Sequence, residues 1–369
     1  MRYAIIERPL RSWLRAAVPP LTTAMKLHRL DAIRGILAFY VCLGHSAGLV
    51  SDSPLIRALL AFGQEAVVGF FILSGFVIGL TTTVPLPLRA WPRYGMKRFA
   101  RVYSVWVLAV LTMLMLDLAE KGRYEPQPVG RWIGNALMLQ DWAHAKPAVI
   151  CRPLYGDSPL WSLHYEWWFY MVFPALTLLR DRRSMVHAVG LASFGSSLVY
   201  ALIPNPASRL LMYLSIWWIG VDASRHLRDA GTVRLVDLKV PLMYVVATAI
   251  PSVVVSLLKQ SRGETLSLGL HPVLEARHLV SSVMLVVMAF AWRRCRWWGF
   301  NVWFGWGAWL APYSYALYVI HYKSIARATY LAFAHDRAIE VAGYIAVTVA
   351  FCWIAEGVVY PRIKSRLGI

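Results

Sequence analysis

The chain has 369 residues, of which 58% are hydrophobic and only 15% charged, with 17 tryptophans and a formal net charge of +19. A soluble domain is nearer half apolar with about a quarter of its residues charged, so this composition excludes an ordinary soluble fold and points to a polytopic membrane protein. A basic chain can also neutralise nucleic-acid phosphates, but these cations are dispersed over successive loops rather than gathered in one patch, which argues against a nucleic-acid partner.

Residues 1–26 form a basic N-terminal segment with Arg2, Arg8, Arg11 and Arg15. It lacks the apolar core of a secretory signal, and Pro19-Pro20 stops any helix. Two readings stay open: an amphipathic segment on the inner leaflet, or a start placed too early, with Met25 opening the chain proper. The second is favoured because a short basic lead suffices to orient the first span. Apolar stretches long enough to cross a ~30 Å hydrocarbon core then fall near residues 30–49, 62–82, 99–118, 160–179, 185–203, 209–224, 240–258, 277–292, 307–330 and 338–358. They predict an all-α helical bundle of about ten transmembrane helices occupying one membrane-embedded domain, 27–369.

Alternate gaps are rich in cations: Arg89, Arg93, Lys97 and Arg98; Arg180, Arg182 and Arg183; Arg225, Arg228, Arg234 and Lys239; Arg293, Arg294 and Arg296. The gaps between are poorer or balanced by acids. Both termini are therefore expected in the cytoplasm, with residues 119–158 as a partly ordered cap on the outer face. Cys42 and Cys352 fall inside spans and Cys151 and Cys295 on opposite faces, so no structural disulfide is expected.

The first span, LDAIRGILAFYVCLGHS (30–46), places Arg34 and His45 eleven residues apart, about 16 Å along a helix and on nearly the same face. Ionisable groups inside a span are costly and are functional candidates, although a histidine packed between helices is the plainer alternative for His45 alone. Four segments follow: FFILSGFVIGL (70–80), MKRFARVYSVWVLAV (96–110), PLWSLHYEWWFYMVFPALTLL (159–179) and PYSYALYVIH (312–321). In this order, and over nearly the whole chain from Leu27, the series closely resembles the acyltransferase-3 family of integral membrane acyltransferases. The family pattern is an Arg followed eleven positions later by His, an SGF segment, Arg-x-x-Arg, W-S-x-x-x-E, and a terminal segment like S-Y-x-L-Y-x-x-H.

The resemblance implies transfer of an acyl group, usually acetyl, from cytoplasmic acyl-CoA to a hydroxyl of a carbohydrate or other small acceptor at a bacterial inner membrane. Carried over by position, the motif residues are Arg34 and His45, Arg98 and Arg101, and Ser162 and Glu166. Two departures stand out: Tyr322-Lys323 follows the terminal motif where relatives often have a bulky apolar residue and proline, and His164 sits inside the W-S-x-x-x-E segment. The chain would act as a stand-alone membrane module.

The residues carry a matching chemistry of their own. Arg98 and Arg101, one helical turn apart at the inner end of a span, can grip a donor phosphate together with Arg34 nearby, or simply anchor topology. Glu166, with Ser162 one turn earlier, is expected at the depth His45 reaches from the other side, so that Glu166 orients His45 as catalytic base. The alternative is that Glu166 pairs with an interior arginine. Of Trp161, Trp167, Trp168, Phe169 and Tyr170, most are expected as interfacial belt anchors. Trp161, Ser162 and His321 are expected on the acceptor side, and Gln64 and Glu65 at an acceptor entrance. Glu356 is expected to pair with a basic loop. No residues have metal-ligand spacing, so neither a metal nor a cofactor beyond the acyl-CoA donor is expected. A proton-coupled transporter, or an export component for a polysaccharide or small metabolite, remains the alternative class, since it too would use intramembrane His, Glu and Arg.

Overall fold

A computed structural model describes residues 21–50, 52–179 and 181–369, with backbone only for residues 21–27 and Val50. The basic segment expected at 1–26 lies outside the described residues up to Leu21, as does Arg180. Among the described residues the chain is helical, with one isolated bridge, Gln140 to Cys151, in place of any strand. The principal helices are α1 (Leu21–His45), α2 (Gly63–Thr81), α3 (Trp91–Lys121), α4 (Trp161–Leu176), α5 (Arg182–Leu202), α6 (Pro206–Ala230), α7 (Lys239–Ser261), α8 (Val273–Arg294), α9 (Ser314–His321) and α10 (Arg337–Cys352). Local signals set their ends. Asp181, Asn205 and Asp336 cap α5, α6 and α10 with their side chains, and Gly122 and Gly231 close α3 and α6 in the left-handed region.

Among the described residues, six segments are long and apolar enough to cross a membrane: Pro54–Thr81, Leu88–Lys121, Arg182–Leu202, Leu235–Ser261, Val273–Arg294 and Arg337–Arg366. Their outward residues, among them Leu111, Met115, Leu191, Met243, Ile250, Met284 and Val349, are exposed, as a lipid-facing surface requires. The other four expected spans depart from simple crossings for physical reasons. Helix α4 has only 16 residues and carries Pro174 inside it. Helix α6 holds Arg209, Asp222 and Arg225, which it keeps away from lipid because nearly its whole length is buried between other helices. Helix α1 begins with charged residues, Arg29, Asp31 and Arg34. The stretch expected as 307–330 is broken into a short helix Gly307–Leu310, a 3-10 turn, the eight-residue α9, and a π-helical segment Tyr322–Ala326.

Helix α6 is the centre of the bundle, packed along α2 and α5 and touching α4 and α7. The SGF motif explains the first of these contacts. A Cβ on Gly75 of α2 would lie 2.0 Å from the Trp217 carbonyl oxygen, and one on Gly220 of α6 would lie 1.9 Å from that of Ile72. Only glycine at both positions lets the backbones approach so closely. Helix α9 lies between α1, α3 and α10, and α4 fits between α2, α3 and α6. These contacts bring the five motif segments together.

The loop from 122 to 160 is folded onto this bundle. Asn135 ties it together, its amide donating to the carbonyls of Arg131 and Arg152 (both 2.9 Å) while its oxygen accepts from Leu154 N–H (3.1 Å). Deeper in, Asp141 meets Lys146 (3.0 Å), Arg209 (3.1 Å) and the Tyr165 hydroxyl (2.7 Å), all fully buried. Burial pushes the Lys146 ammonium down to about 8, against the pull of Asp141. Burial alone would raise the Asp141 carboxyl, but Lys146 and Arg209 outweigh it and hold it below its ordinary value.

Candidate active site

His45 stands exposed at the last residue of α1, and the group it meets is His321, fully buried at the end of α9. His321 Nδ1 lies 2.9 Å from the Tyr318 carbonyl oxygen and 3.1 Å from that of Leu317, so Nδ1 carries the proton and donates to these helical carbonyls. Its Nε2 is then an acceptor. The 2.9 Å contact with His45 Nδ1 is accordingly an N–H donated by His45. This assigns His45 the Nδ1–H tautomer and leaves the lone pair on Nε2, the form a general base requires. The two rings lie edge to edge, their centres 5.1 Å apart and their planes 26° apart, and Tyr322 meets His45 edge-on at 5.3 Å.

Glu166 does not make this contact. Its carboxylate accepts from the Tyr170 hydroxyl one turn along α4. Ser74 of the SGF motif lies 2.9 Å from the Tyr170 oxygen and accepts in turn from Trp217 Nε1 at 3.3 Å. Since Tyr170 donates to Glu166, Ser74 donates to Tyr170, giving a file of donors from Trp217 that ends on the carboxylate. The expected pairing of His45 with Glu166 is therefore replaced, among the described residues, by His45 with His321 and Glu166 with Tyr170. Convergence in depth was the ground for that expectation, and depth leaves the direction around each helix open.

Ser162, buried on α4, donates to the Tyr318 hydroxyl at 2.8 Å, while Tyr318 donates to the Pro159 carbonyl at 2.7 Å. Ser162 is thus bound to the helix that carries His321. Trp161 is buried rather than interfacial, its ring stacked on His278 at 5.7 Å with the Lys146 ammonium 3.7 Å from its centroid. Those neighbours occupy the ring that was expected on the acceptor side. Phe169 and Tyr170 are likewise buried in the protein core, so they are not belt anchors. The departure His164 binds the Met138 carbonyl at 2.7 Å and holds the folded loop. Gln64 and Glu65 are engaged with His278 (3.2 Å) and Arg277 (Nη2 to Oε2, 3.0 Å) rather than lining an entrance.

The three arginines differ. Arg101 on α3 is paired with Glu356, a buried carboxylate in the π-helical segment Trp353–Val359, and lies over the rings of Tyr315 and Tyr360 at 5.2 and 4.8 Å. Glu356 thus meets a transmembrane arginine instead of a basic loop. Arg98 is half-buried beside the rings of Tyr94 (5.3 Å) and Tyr170 (5.8 Å), with Nε unpartnered and no carboxylate bound among the described residues. Arg34 is half-buried on α1, its Nε also unpartnered. Sequence reasoning placed His321 on the acceptor side, read Tyr170 within an aromatic cluster of mostly belt anchors, and gave Tyr318 no role of its own. The signal for Tyr318 and His321 was the three-residue spacing of Tyr315, Tyr318 and His321 in the terminal motif. Among the described residues no group of His, Cys, Asp and Glu has the arrangement of a metal site.

A helical bundle with six apolar candidate spans among the described residues, and polar side chains enclosed between its helices, defines an integral membrane protein. The chain belongs to the acyltransferase family whose domain model, described as "Acyltransferase domain", matches residues 27–357. The acyltransferase MdmB of Streptomyces mycarofaciens is 28% identical over 156 residues, which span 40% of this chain and 38% of that relative. No solved structure matches.

Proposed function

We propose that the protein transfers an acyl group, acetyl in the simplest case, from cytoplasmic acyl-CoA to a hydroxyl of a carbohydrate or other envelope-associated acceptor in a bacterial inner membrane. The observation that carries this reading is the His45–His321 pair. As the acceptor hydroxyl attacks the thioester carbonyl, His45 Nε2 takes its proton, and the imidazolium that forms keeps its Nδ1–H on His321 as a charge-assisted hydrogen bond. Collapse of the tetrahedral intermediate expels the CoA thiolate, to which His45 returns the proton. Arg98 and Arg34 are the cations left to meet the donor's phosphates, with Arg101 shared between them and Glu356. About ten crossings with both termini in the cytoplasm put these arginines on the donor side.

Detergent-purified protein and labelled acetyl-CoA test the reading. The parental protein is expected to consume acetyl-CoA in an acceptor-dependent way, and His45→Ala to abolish this while inserting and melting as the parent does. Direct transfer leaves no label on the protein when acceptor is withheld. Acylation at the parental rate by the His45→Ala protein refutes the reading.

A further inference from the structure

Helix α7 turns Pro241, Val245, Thr248 and Ser252 into the bundle, where they are buried. Its opposite stripe, Lys239, Leu242, Met243, Val246, Ala247 and Ile250, recurs every three or four residues and so keeps to one face. This stripe lines a groove of about 790 Å³ whose far wall is Val287 of α8. Ala247, the smallest of the six, deepens the groove between Met243 and Ile250.

The groove is apolar except at one end. Lys239, the first residue of α7, is exposed and has neither a hydrogen bond nor an ion pair among the described residues. The cations beside it are committed: Arg234 to Asp237 at 2.9 Å, and Arg293 to the Thr232 hydroxyl at 2.9 Å and to the Val233 carbonyl. The Arg293 contacts also set the end of α8 beside the start of α7. Arg294, Arg296 and Trp298, all exposed, therefore lie at the Lys239 end. Cations and tryptophan at helix ends mark the membrane interface, which puts Lys239 at headgroup level. From Lys239 to Ile250 the helix rises about 16 Å. That is about half of a ~30 Å hydrocarbon core, the depth of one leaflet.

We propose that this groove binds an anionic phospholipid of the leaflet on the Lys239 side. One acyl chain lies along α7 as far as Ile250, against Val287, and the Lys239 ammonium donates to the headgroup phosphate. A zwitterionic headgroup brings its own ammonium up to Lys239, Arg294 and Arg296, so like charges meet, whereas an anionic headgroup meets only opposite charge. An apolar helix from a second copy of the chain would cover Lys239 without pairing it, and burying an unpaired charge is costly. The site is separate from the histidine pair, so its standing does not depend on the transferase reading.

Native mass spectrometry of the detergent-purified full chain, titrated with dioleoyl phosphatidylglycerol or dioleoyl phosphatidylethanolamine, reads the first bound lipid. The parent is expected to favour phosphatidylglycerol about fivefold, the worth of one lysine against an anionic headgroup. Lys239→Gln should erase that preference without lowering the melting temperature, since the side chain is exposed and holds nothing in the protein. Ala247→Leu, which partly fills the groove, should weaken binding of both lipids. Lys259→Gln, at the other end of α7 and already paired with Glu264 at 3.0 Å, should keep the preference. Equal binding of the two lipids by the parent, an unchanged preference in Lys239→Gln, or its equal loss in Lys259→Gln overturns the proposal. So does a lipid-free dimer, which would give the groove to a second copy, or competition by glycerol phosphate, which carries the anion without the chain.

Discussion

If His321 fixes the tautomer of His45, replacing it should slow transfer without touching the donor site. The informative variant is His321→Phe, which refills most of the buried volume but offers no acceptor to His45 Nδ1–H. The His45–His321 contact is a 2.9 Å hydrogen bond whose acceptor side is fully buried. Losing that bond, which the imidazolium makes in the transition state, costs about 1–3 kcal/mol. At about 1.4 kcal/mol per decade of rate, kcat should fall about 5- to 150-fold. KM for acetyl-CoA should stay within about twofold, since no phosphate contact is lost. His321→Gln retains an amide oxygen able to accept from His45 and an amide N–H able to serve the Tyr318 carbonyl, so it should recover most of the rate. The assay is steady-state release of CoA thiol by purified protein, with melting curves for each variant. Parental kcat in His321→Phe refutes the reasoning. A crippled Glu166→Gln beside an unimpaired His321→Phe returns the orienting role to Glu166.

Arg98→Ala should weaken acyl-CoA binding by about 1–3 kcal/mol through loss of a charge-assisted phosphate contact, measured by equilibrium dialysis, while its melting temperature holds. Arg101→Ala should instead unfold more easily, by about 3–5 kcal/mol, because it strands the buried Glu356 carboxylate, and Arg101→Met with Glu356→Leu should recover that loss. Gly75→Ala should lower stability by about 1–3 kcal/mol or more, since the Trp217 carbonyl leaves no room for a methyl group; an unchanged melting temperature counts against the close α2–α6 crossing. Lys146 gives up its proton near pH 8 in the folded protein against an ordinary value of 10.5, so between these values the unfolded chain binds more protons. Stability should therefore rise with pH across that window, and Lys146→Met should flatten the rise in pH-dependent melting.

Composition and apolar run length made the helical membrane character legible, because both are properties of the chain that packing does not alter. The starts of α5, α6 and α10 were written locally too, in Asp181, Asn205 and Asp336. What the sequence did not reveal was which helices face lipid. Helices α4 and α6 read as spans like any other, yet α6 is enclosed by its neighbours and therefore tolerates Arg209 and Asp222, each buried and paired. The same limit applies to the site. His45 was conspicuous as an ionisable group in an apolar run, but its partner lies 276 residues away, and helical periodicity gives the depth of Glu166 without saying that it turns toward Tyr170. The Gly75 and Gly220 contact was hidden for a related reason, as close approach belongs to the pair of helices and to neither alone.

Helix α9 explains why an eight-residue element carries so much of the motif pattern. Its successive turns face successive parts of the site: Tyr315 lies beside Arg101, Tyr318 binds Ser162, and His321 binds His45. At 1.5 Å per residue these three residues span about 9 Å, which orders the paired arginine, the α4 contact and the base along one axis. The π-helical segment that follows widens the helix by one residue per turn and turns Lys323 and Ser324 into the protein, carrying the line on to Asp117 and Glu120. Tyr318 fastens α9 to α4 through Ser162 and the Pro159 carbonyl.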